Sequence, residues 1–417
     1  MREMKDSGVA WIGSVPSDYR TASIGSLFTI KKDIIGQEPE TVLSITQTGI
    51  RPKDLSSNEG QNASSYAHYQ IVNVGDFAMN HMDLLTGWID ISKYEGVTSP
   101  DYRVFTLNDK EMSADYFLRV FQYYYTNKVF FGFGQGVATL GRWRLPAINF
   151  KKIDVPVPPI LEQQRIVAVI DENIGKVDAL IANVQAQIEK LKAYKQSVIT
   201  EVVTKGLDPA VPMKDSGVEW IGEIPETWTT IRVKQLLKER KERSVDGSEE
   251  PLSMSQKVGL VPTKMLDMIP NMASSFVGAK LTYVDDLVFN KLKAHLGVFS
   301  VSKYDGLVSP DYAVYYSTGK VHLKYLEYLF KTPQCISEFR KRSTGIAAGL
   351  TRLYTDGLFA IECPFPTMEE QIAIVDYLNE KCVQIDQLIA IKQKKIDKLN
   401  EYKKSLIYEY VTGKREV

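Results

Sequence analysis

The chain has 417 residues, which is enough for two or three domains with substantial apolar cores. Hydrophobic residues make up 44% and charged residues 24% of the sequence, and no apolar run reaches the roughly 20 residues of a membrane-spanning helix. The 51 Lys and Arg balance 51 Asp and Glu, so the basic excess typical of nucleic-acid-binding proteins is missing, although a local basic surface is compatible with zero net charge. Residues 1–16 lack the apolar core of a secretory signal, and a cytoplasmic location is expected.

Cysteine and histidine spacing argues against a disulfide framework and against a metal site. Cys335, Cys363 and Cys382 form no CxxC motif and are expected to be buried or incidental thiols. The four histidines never pair at a spacing of three or four residues, so a site built on them would need a coincidence of tertiary structure. No metal site is predicted.

The sequence contains an internal repeat, in which the second half repeats motifs of the first at a spacing of about 209 residues. The segments that match in sequence and in order are 6–13 with 215–222, 75–80 with 285–290, 92–102 with 302–312, and 155–158 with 363–366. Between them, 44–70 differs from 253–280, and 122–145 differs from 331–354. A shared scaffold with dissimilar loops predicts one task performed on two different targets. The alternative is a duplicated scaffold whose loops have drifted without function.

Each half begins with a module of about 150 residues that mixes β-like runs with a helical pattern. In chain order, the β-like runs are 41–46, 76–80, 88–92 and 102–107, then 281–284, 287–290 and 313–316. The helical patterns are 115–126 and 322–331. We predict an α+β fold for each module.

A long helix is predicted after each module, because no proline interrupts residues 160–208 or 367–417. Apolar residues recur there at heptad spacing, which predicts a coiled coil with knobs-into-holes packing. The predicted seam positions are Val177, Ile181, Val184, Ile188, Leu191 and Val198 in the first helix, and Ile385, Ile389, Ile396, Leu399 and Leu406 in the second. Lys392 interrupts the second seam, where it either fixes the register or extends its ammonium to the edge of the seam.

The order of modules and helices predicts how the helices pair. Two equivalent units related by a pseudo-two-fold axis place their helices antiparallel, with one module near each end. A helix of roughly 30–40 residues forms a rod of about 45–60 Å at 1.5 Å per residue. The block 215–222 follows the first helix directly, so by symmetry the block 6–13 should lie beside the end of the second helix, with Met1 and Val417 as neighbours.

No catalytic site is predicted. The sequence has no P-loop and no Asn/Asp-Pro-Pro-aromatic motif of amino-methyltransferases, and the Pro-Asp pairs at 100–101 and 310–311 lack the second half of a nuclease motif. The glycine-rich segment 132–136 does not have the spacing of a dinucleotide-binding loop. Close approach to a DNA backbone and a simple turn both remain compatible with it.

Together these features resemble the specificity subunits of type I restriction–modification systems over essentially the whole chain. The residues that carry the resemblance are 6–16 and 215–225, Ser-Pro-Asp-Tyr at 99–102 and 309–312, Pro-x-Pro at 156–158 and 364–366, Glu-Gln at 162–163 and 370–371, and Val-Thr-Lys-Gly at 203–206. The resemblance implies two target-recognition domains, 1–158 and 207–366, which each read one half of a bipartite DNA site. It also implies a central spacer helix, 159–206, and a distal spacer helix, 367–417, which set the length of the unspecified DNA between the half-sites.

The resemblance further implies that the chemistry takes place in partner proteins. Two modification subunits that methylate adenine N6 are expected to dock around the helices, and two restriction subunits are optional further partners. S-adenosylmethionine and ATP would be bound by those partners. This chain is therefore expected to bind no cofactor and to have no enzymatic activity of its own.

Base edges are read by polar side chains on loops that enter a DNA groove. The candidate DNA-binding residues are Asn80, His81, Gln135, Thr139, Arg142 and Arg144 in the first module, and Lys291, Lys293, His295, Lys341, Arg342, Ser343, Thr344 and Arg352 in the second. For any one of them, solvated surface is the more frequent role. Trp143 lies between two arginines and is either a DNA contact or, as is more usual for a large aromatic residue, part of the core.

Two other functions remain compatible with the sequence. One is a coiled-coil scaffold that binds protein rather than DNA, which a steep salt dependence of duplex binding would exclude. The other is a stand-alone, homodimeric DNA-binding regulator, which co-purification with a methyltransferase subunit would exclude.

Overall fold

The fold is given by a computed structural model, which describes residues 2–55, 63–136, 143–256, 258–266, 275–345 and 351–417. The chain divides into two compact units. Unit 1 comprises Met1–Gln185 and Gln393–Val417, and unit 2 comprises Ala186–Lys392. Each unit therefore combines one of the predicted modules with stretches of both long helices.

Unit 1 contains a mixture of short strands and helices. Its strands are β1 (Met4–Asp6), β2 (Ser14–Pro16), β3 (Arg20–Ser23), β4 (Phe28–Lys31), β5 (Leu43–Thr46), β6 (Gly49–Pro52), β7 (Gln70–Val72), β8 (Phe77–Met79), β9 (Ile89–Ile91), β10 (Gly96–Thr98), β11 (Arg103–Leu107) and β12 (Asp154–Val157). Its helices are α1 (Ile24–Leu27), α2 (Ala114–Thr126), α3 (Val129–Gly132), α4 (Ala147–Lys151) and the long α5 (Ile160–Lys205), which continues into unit 2.

The core of unit 1 lies between its main sheet and α2. The sheet has the strand order β4-β11-β8-β9 with antiparallel neighbours. Ser113 begins α2, because its side chain accepts a hydrogen bond from a first-turn amide. The rings of Phe28, Phe77, Phe105 and Phe121 then pack together, with centroids 5.2–5.9 Å apart.

Unit 2 follows the same order of elements. Its strands are β13 (Met213–Asp215), β14 (Glu223–Pro225), β15 (Thr229–Arg232), β16 (Leu237–Glu239), β17 (Leu252–Ser255), β18 (Gly259–Pro262), β19 (Lys280–Thr282), β20 (Leu287–Asn290), β21 (Phe299–Val301), β22 (Gly306–Val308), β23 (Tyr312–Ser317), β24 (Thr344–Gly345), β25 (Thr351–Arg352) and β26 (Glu362–Phe365). Its helices are α6 (Val233–Leu236), α7 (Leu323–Phe330), α8 (Pro333–Arg342), α9 (Thr355–Phe359) and the long α10 (Met368–Val411), with 3₁₀ turns at Thr263–Met265 and Ala294–Leu296.

The main sheet of unit 2 has the antiparallel order β16-β23-β20-β21. Its core again contains clustered aromatic rings, here Phe289, Phe299, Phe330 and Phe339 with centroids 4.5–6.3 Å apart. The strands and helices predicted for both modules are observed, with ends shifted by at most two residues.

The long helices are antiparallel in unit 1. Asp178 of α5 pairs with Lys403 of α10, with 2.5 Å between the Oδ1 and Nζ atoms. Farther towards the start of α5, Ile170 shares a core with Tyr410, which lies farther towards the end of α10. Residue numbers therefore rise along one helix as they fall along the other.

The helices are also antiparallel in unit 2. The Nζ atom of Lys195 lies 2.6 Å from Oδ2 of Asp386, and the Nζ atom of Lys392 lies 2.6 Å from Oε1 of Gln187. Lys392 is half-buried and donates a hydrogen bond to the other helix. This contact agrees with a role in register, one of the two roles considered for this lysine.

Every predicted seam position of the two helices is buried or half-buried. The helices have 46 and 44 residues, longer than the predicted 30–40. The extra length arises because α5 also contributes to module cores at both ends, through Ile166 and Ile170 in unit 1 and Val202 and Val203 in unit 2. None of the helices in the described ranges combines the length and the apolar character that crossing a bilayer requires.

A set of hydrogen bonds in unit 1 joins the module to the end of α10 and the start of α5. The buried Tyr116 hydroxyl donates to the carbonyl of Val411 at 2.9 Å and to that of Pro156 at 3.0 Å. The side-chain oxygen of Gln163 accepts from the amide of Ser113 at 2.9 Å. We call Tyr116, Gln163 and Val411 the clasp of unit 1.

Unit 2 has the same clasp, made of Tyr325, Gln371 and Val203. The Tyr325 hydroxyl donates to the carbonyl of Val203 at 3.0 Å and to that of Pro364 at 3.3 Å. The side-chain oxygen of Gln371 accepts from the amide of His322 at 2.8 Å. The Glu-Gln pairs singled out in the sequence thus each contribute a buried glutamine that fixes a module to the helix that follows it.

The two ends of the chain meet within unit 1. The amide nitrogen of Arg2 lies 3.3 Å from Oε1 of Glu416, and Nζ of Lys414 lies 3.1 Å from the carbonyl oxygen of Ile12. These contacts confirm that the block 6–13 lies beside the end of the second helix. The three cysteines are buried free thiols, as predicted.

Candidate DNA-binding site

The predicted DNA-binding residues of unit 1 meet where a strand end joins a hairpin. Asn80 and His81 directly follow β8, and Gln135 pairs with Arg144 across a β-bridge with N–O distances of 2.8 and 3.0 Å. The amide of Leu145 donates to the carbonyl of His81 at 2.9 Å. The base of the hairpin and the loop after β8 therefore form one surface, which we call the junction of unit 1.

Unit 2 has a corresponding junction. Thr344 pairs with Arg352 at the base of the β24–β25 hairpin. The amide of Leu353 donates to the carbonyl of Lys291, just after β20, at 3.1 Å. The structure therefore brings the hairpin residues together with the strand-end residues in both units.

The side chains of the unit 1 junction differ in exposure. Gln135 and Arg144 are exposed, and Asn80 is half-buried, with its side-chain oxygen accepting from the amide of Met82 at 3.2 Å. Two further candidates, Thr139 and Arg142, lie outside the described residues.

His81 is buried, contrary to its assignment as a DNA contact. The segment that follows Arg144 contacts this loop, because the amide of Leu145 donates to the His81 carbonyl. Burial, together with the positive charges of Arg103 and Arg144, lowers the pKa of His81 to about 3. Its imidazole is therefore neutral near pH 7 and is not placed to contact DNA.

Arg103 contacts the base of the unit 1 hairpin from the buried side. Its buried guanidinium donates to the carbonyl of Leu145 at 2.7 Å and lies 4.6 Å from the ring centroid of Phe150. Burial and the nearby Arg144 lower the pKa of Arg103 to about 10. Leu145 is thus held through both its amide and its carbonyl, which fixes the direction of Arg144 beside it.

The hairpin of unit 2 follows directly on the end of α8. Lys341 and Arg342 both pair with the buried carboxylate of Glu338, with N–O distances of 2.8 and 3.3 Å. Ser343 donates to the carbonyl of Phe339 at 2.6 Å. The two cations thus remain at the surface while one carboxylate limits their motion.

The other candidate residues of unit 2 lie in the strand-end loop after β20 and beside it. Lys293 is exposed, whereas Lys291 and His295 are half-buried. Arg352 lies beside Asp311, with 3.4 Å between Nη2 and Oδ1. The local surface is therefore cationic although the whole chain has no net charge.

Trp143 packs against Phe131 at the base of the unit 1 hairpin. Its indole N–H donates to the carbonyl of Phe131 at 2.8 Å, and its ring stacks on that of Phe131 at 5.0 Å. A Cβ atom at Gly134 would lie 2.5 Å from the indole nitrogen, so the glycine-rich segment allows a close approach to this ring. Across the described ranges, no three His, Cys, Asp or Glu side chains cluster in a way that could hold a metal ion.

Comparison with known proteins shows which proteins the chain resembles. Residues 16–190 match the model of the type I restriction modification DNA specificity domain. The putative type I restriction enzyme MjaX specificity subunit of Methanocaldococcus jannaschii is 24% identical, over 97% of this chain and 96% of that protein. Residues 16–190 thus resemble a DNA specificity domain, and nearly the whole chain resembles a type I restriction enzyme specificity subunit. The resemblance predicted from the sequence motifs is confirmed.

Further specificity subunits and solved structures show the same likeness. The MjaVIII specificity subunit of Methanocaldococcus jannaschii is 25% identical over 64% of this chain and 63% of that protein. A chain from a solved structure on complex assembly and conformational transition of the type I R-M system has a TM-score of 0.68 at 13% identity, covering 95% of this chain and 98% of that one. The HsdS subunit from Thermoanaerobacter tengcongensis has a TM-score of 0.51 at 16% identity, covering 96% and 98%. These structures share the fold.

The two junctions also depend on supporting residues that were not singled out in the sequence. Arg103 and Asp311 contact the hairpin segments, and Leu145 and Leu353 join each hairpin to the neighbouring loop. One sequence signal could have found the leucines, because Arg-Leu occurs at 144–145 and again at 352–353. The pairing of Arg352 with Asp311 has no such signal, because the two residues lie in separate segments.

Proposed function

We propose that this chain is the DNA-reading subunit of a type I restriction–modification enzyme, and that each unit contacts one half of a bipartite site. The observation that carries the proposal is the junction, in which candidate base-reading residues from separate segments share one surface in each unit. The similarity to type I restriction specificity subunits supports the same function. The two junctions carry different side chains, which is consistent with two different half-sites.

The chemistry of the two junctions supports different half-sites. Unit 1 presents Gln135 and Arg144, and unit 2 presents Thr344, Arg352 and Lys293. Arginine pairs with two acceptors of guanine and glutamine pairs with adenine, whereas threonine is less selective. The remaining candidates, Asn80, Thr139, Arg142, Lys291, His295, Lys341, Arg342 and Ser343, are proposed as further base or phosphate contacts.

The two long helices are proposed to form a coiled-coil spacer between the half-site readers of this internally repeated chain. Three observations support this role: the heptad pattern, the burial of the seam positions, and the ion pairs that join the antiparallel helices. At 1.5 Å per residue, a 46-residue helix is about 69 Å long. A rigid spacer is needed because half-sites are read at fixed separations along the double helix.

Methyl transfer and cleavage are proposed to belong to partner proteins in the cytoplasm. Two modification subunits would bind S-adenosylmethionine and methylate adenine, and two restriction subunits with ATP would be optional. This chain would bind no cofactor, hold no metal and supply no catalytic residue. The similarity of residues 16–190 to a DNA specificity domain supports this division.

Mapping methylated adenines in host DNA tests the proposal. Deletion of the chain should abolish one two-part methylated motif, and the wild-type chain should restore it. Exchange of residues 44–145 for those of a relative should change one half of the motif only. Persistence of every two-part motif after deletion would overturn the assignment.

A second measurement separates DNA reading from protein scaffolding. The binding constant of the assembled complex for its duplex should fall steeply as salt rises, because phosphate contacts release counterions. Replacing both Gln135 and Arg144 by Ala should weaken specific binding, whereas the exposed Arg20→Ala should not. A binding constant without salt dependence would favour the scaffold.

A further inference from the structure

Arg103 places a positive charge inside unit 1 without a carboxylate partner in the described ranges. The residue begins β11 and is only 4% exposed. Its Nη2 atom donates to the carbonyl of Leu145 at 2.7 Å, whereas Nη1 is buried and has no hydrogen-bond partner among the described residues. The charge that acts on it is that of another arginine, Arg144. A buried cation that lacks a carboxylate is costly, so this arginine calls for a role other than stabilising the core.

Unit 2 has an alanine, Ala313, in the position of Arg103. The two positions correspond because Arg103 lies opposite Met79 in the main sheet of unit 1, and Ala313 lies opposite Phe289 in the main sheet of unit 2. Both units nevertheless keep the amide hydrogen bond that joins the hairpin to the strand-end loop. The buried guanidinium is therefore particular to unit 1, and the shared fold forms without it.

The hydrogen bond from Arg103 acts on the residue that follows Arg144. The amide of Leu145 donates to the carbonyl of His81 and its carbonyl accepts from Arg103, so both polar groups of its backbone are bonded. Arg144 is bonded through its own backbone to Gln135, and its side chain is exposed. A backbone that is fixed before binding reduces the conformational entropy that the arginine loses when it contacts a ligand.

We propose that Arg103 is a positioning residue for DNA reading by unit 1, because it holds the backbone from which Arg144 contacts a base. The inference rests on the proposed function, in which Arg144 is a base-reading residue. Unit 2 restrains its junction arginine differently, since the side chain of Arg352 lies 3.4 Å from the carboxylate of Asp311. Arg103 itself is buried, so its effect on DNA should pass through Arg144.

A double-mutant cycle tests the proposal. Arg103→Met removes the charge and the donor, and it should lower discrimination at one base pair of the unit 1 half-site about five- to ten-fold, with the other half-site unchanged. Competition binding of the assembled complex against duplexes changed at each position measures this loss. In the background of Arg144→Ala, Arg103→Met should cause no further loss, because the side chain through which it acts is gone. Equal losses in both backgrounds, or no loss in either, would overturn the inference.

A variant that destabilises unit 1 at the clasp separates positioning from folding. Tyr116→Phe removes a buried hydroxyl, and it should lower the free energy of unfolding while leaving discrimination within about two-fold of the wild type. A loss of discrimination as large as that of Arg103→Met would overturn the inference. If Arg103→Met does not fold, Arg103→Gln takes its place in the cycle. A wild-type complex that does not discriminate between sequences would overturn the proposed function, and this inference with it.

Discussion

The Nη2 atom of Arg352 lies 3.4 Å from the Oδ1 atom of Asp311, so a carboxylate partly neutralises the arginine of the unit 2 junction. Arg144 occupies the corresponding place in unit 1, where its charge acts instead on the buried Arg103 and His81. Both arginines precede a leucine that ties the hairpin to the strand-end loop. The two arginines therefore share a backbone position and differ in their electrostatic surroundings.

Arg352→Lys should relax recognition at one base pair of a single half-site. A lysine cannot make the two parallel hydrogen bonds that an arginine makes to guanine, and the lost discrimination should be about 1–3 kcal/mol. Competition binding of the assembled complex against duplexes changed at each position measures this loss. Arg232→Lys, an exposed arginine elsewhere in unit 2, is the matched control. A loss of discrimination at both half-sites would contradict the assignment of Arg352 to one of them.

His81→Asn should make the free energy of unfolding of unit 1 less dependent on pH in the acidic range. The folded protein holds the pKa of His81 at about 3, below the value of about 6.5 in the unfolded chain, so the unfolded state binds more protons between these values. The contribution of the neutral His81 to the free energy of unfolding is therefore complete above pH 6.5. It falls by up to about 1.4 kcal/mol per pH unit as the pH decreases towards 3. Urea denaturation at pH 7 and pH 5 should show that the free energy of unfolding changes less between these pH values in the variant than in the wild type. Equal differences would contradict a buried neutral imidazole.

Much of the fold could be predicted because it follows from local patterns. Short β-like runs predicted strands such as β8 and β20, and heptad spacing predicted α5 and α10. The repeat also predicted that the block 6–13 lies beside the end of the second helix, which the hydrogen bonds from Tyr408 and Lys414 to the carbonyl of Ile12 confirm. These features depend on residues that are close in sequence or related by the repeat.

The rest depends on contacts between distant segments. The burial of His81 arises from the hairpin that ends at Leu145, and no sequence pattern indicates that this hairpin covers that loop. The pairing of β3 with β12 was not predicted, because the two strands lie far apart in the sequence and no local pattern joins them. The pairing of Arg352 with Asp311 is likewise visible only in the folded chain.

Tyr325→Phe and Tyr116→Phe should each destabilise their own unit by about 1–3 kcal/mol. Each change removes a buried hydroxyl that donates to two carbonyls, and it leaves those carbonyls without that donor. The free energy of unfolding from urea denaturation measures the loss. Tyr94→Phe, at an exposed tyrosine, should change it by less than about 0.5 kcal/mol. A clasp variant as stable as this control would show that the clasp does not hold the helix ends.

Gly413→Ala should destabilise unit 1 more than Gly8→Ala does, although both glycines have a positive φ. Their φ angles are +67° and +71°, and an alanine at either place costs about 1–2 kcal/mol for its backbone conformation. A Cβ atom at Gly413 would also lie 2.5 Å from Pro16 and 2.9 Å from the ring of Tyr19, whereas one at Gly8 would have nothing within 4 Å. The steric term should add about 1–3 kcal/mol, because neighbouring groups must move. Urea denaturation measures the loss of unfolding free energy for each variant. Equal losses would show that the backbone at Gly413 is not packed against Pro16 and Tyr19.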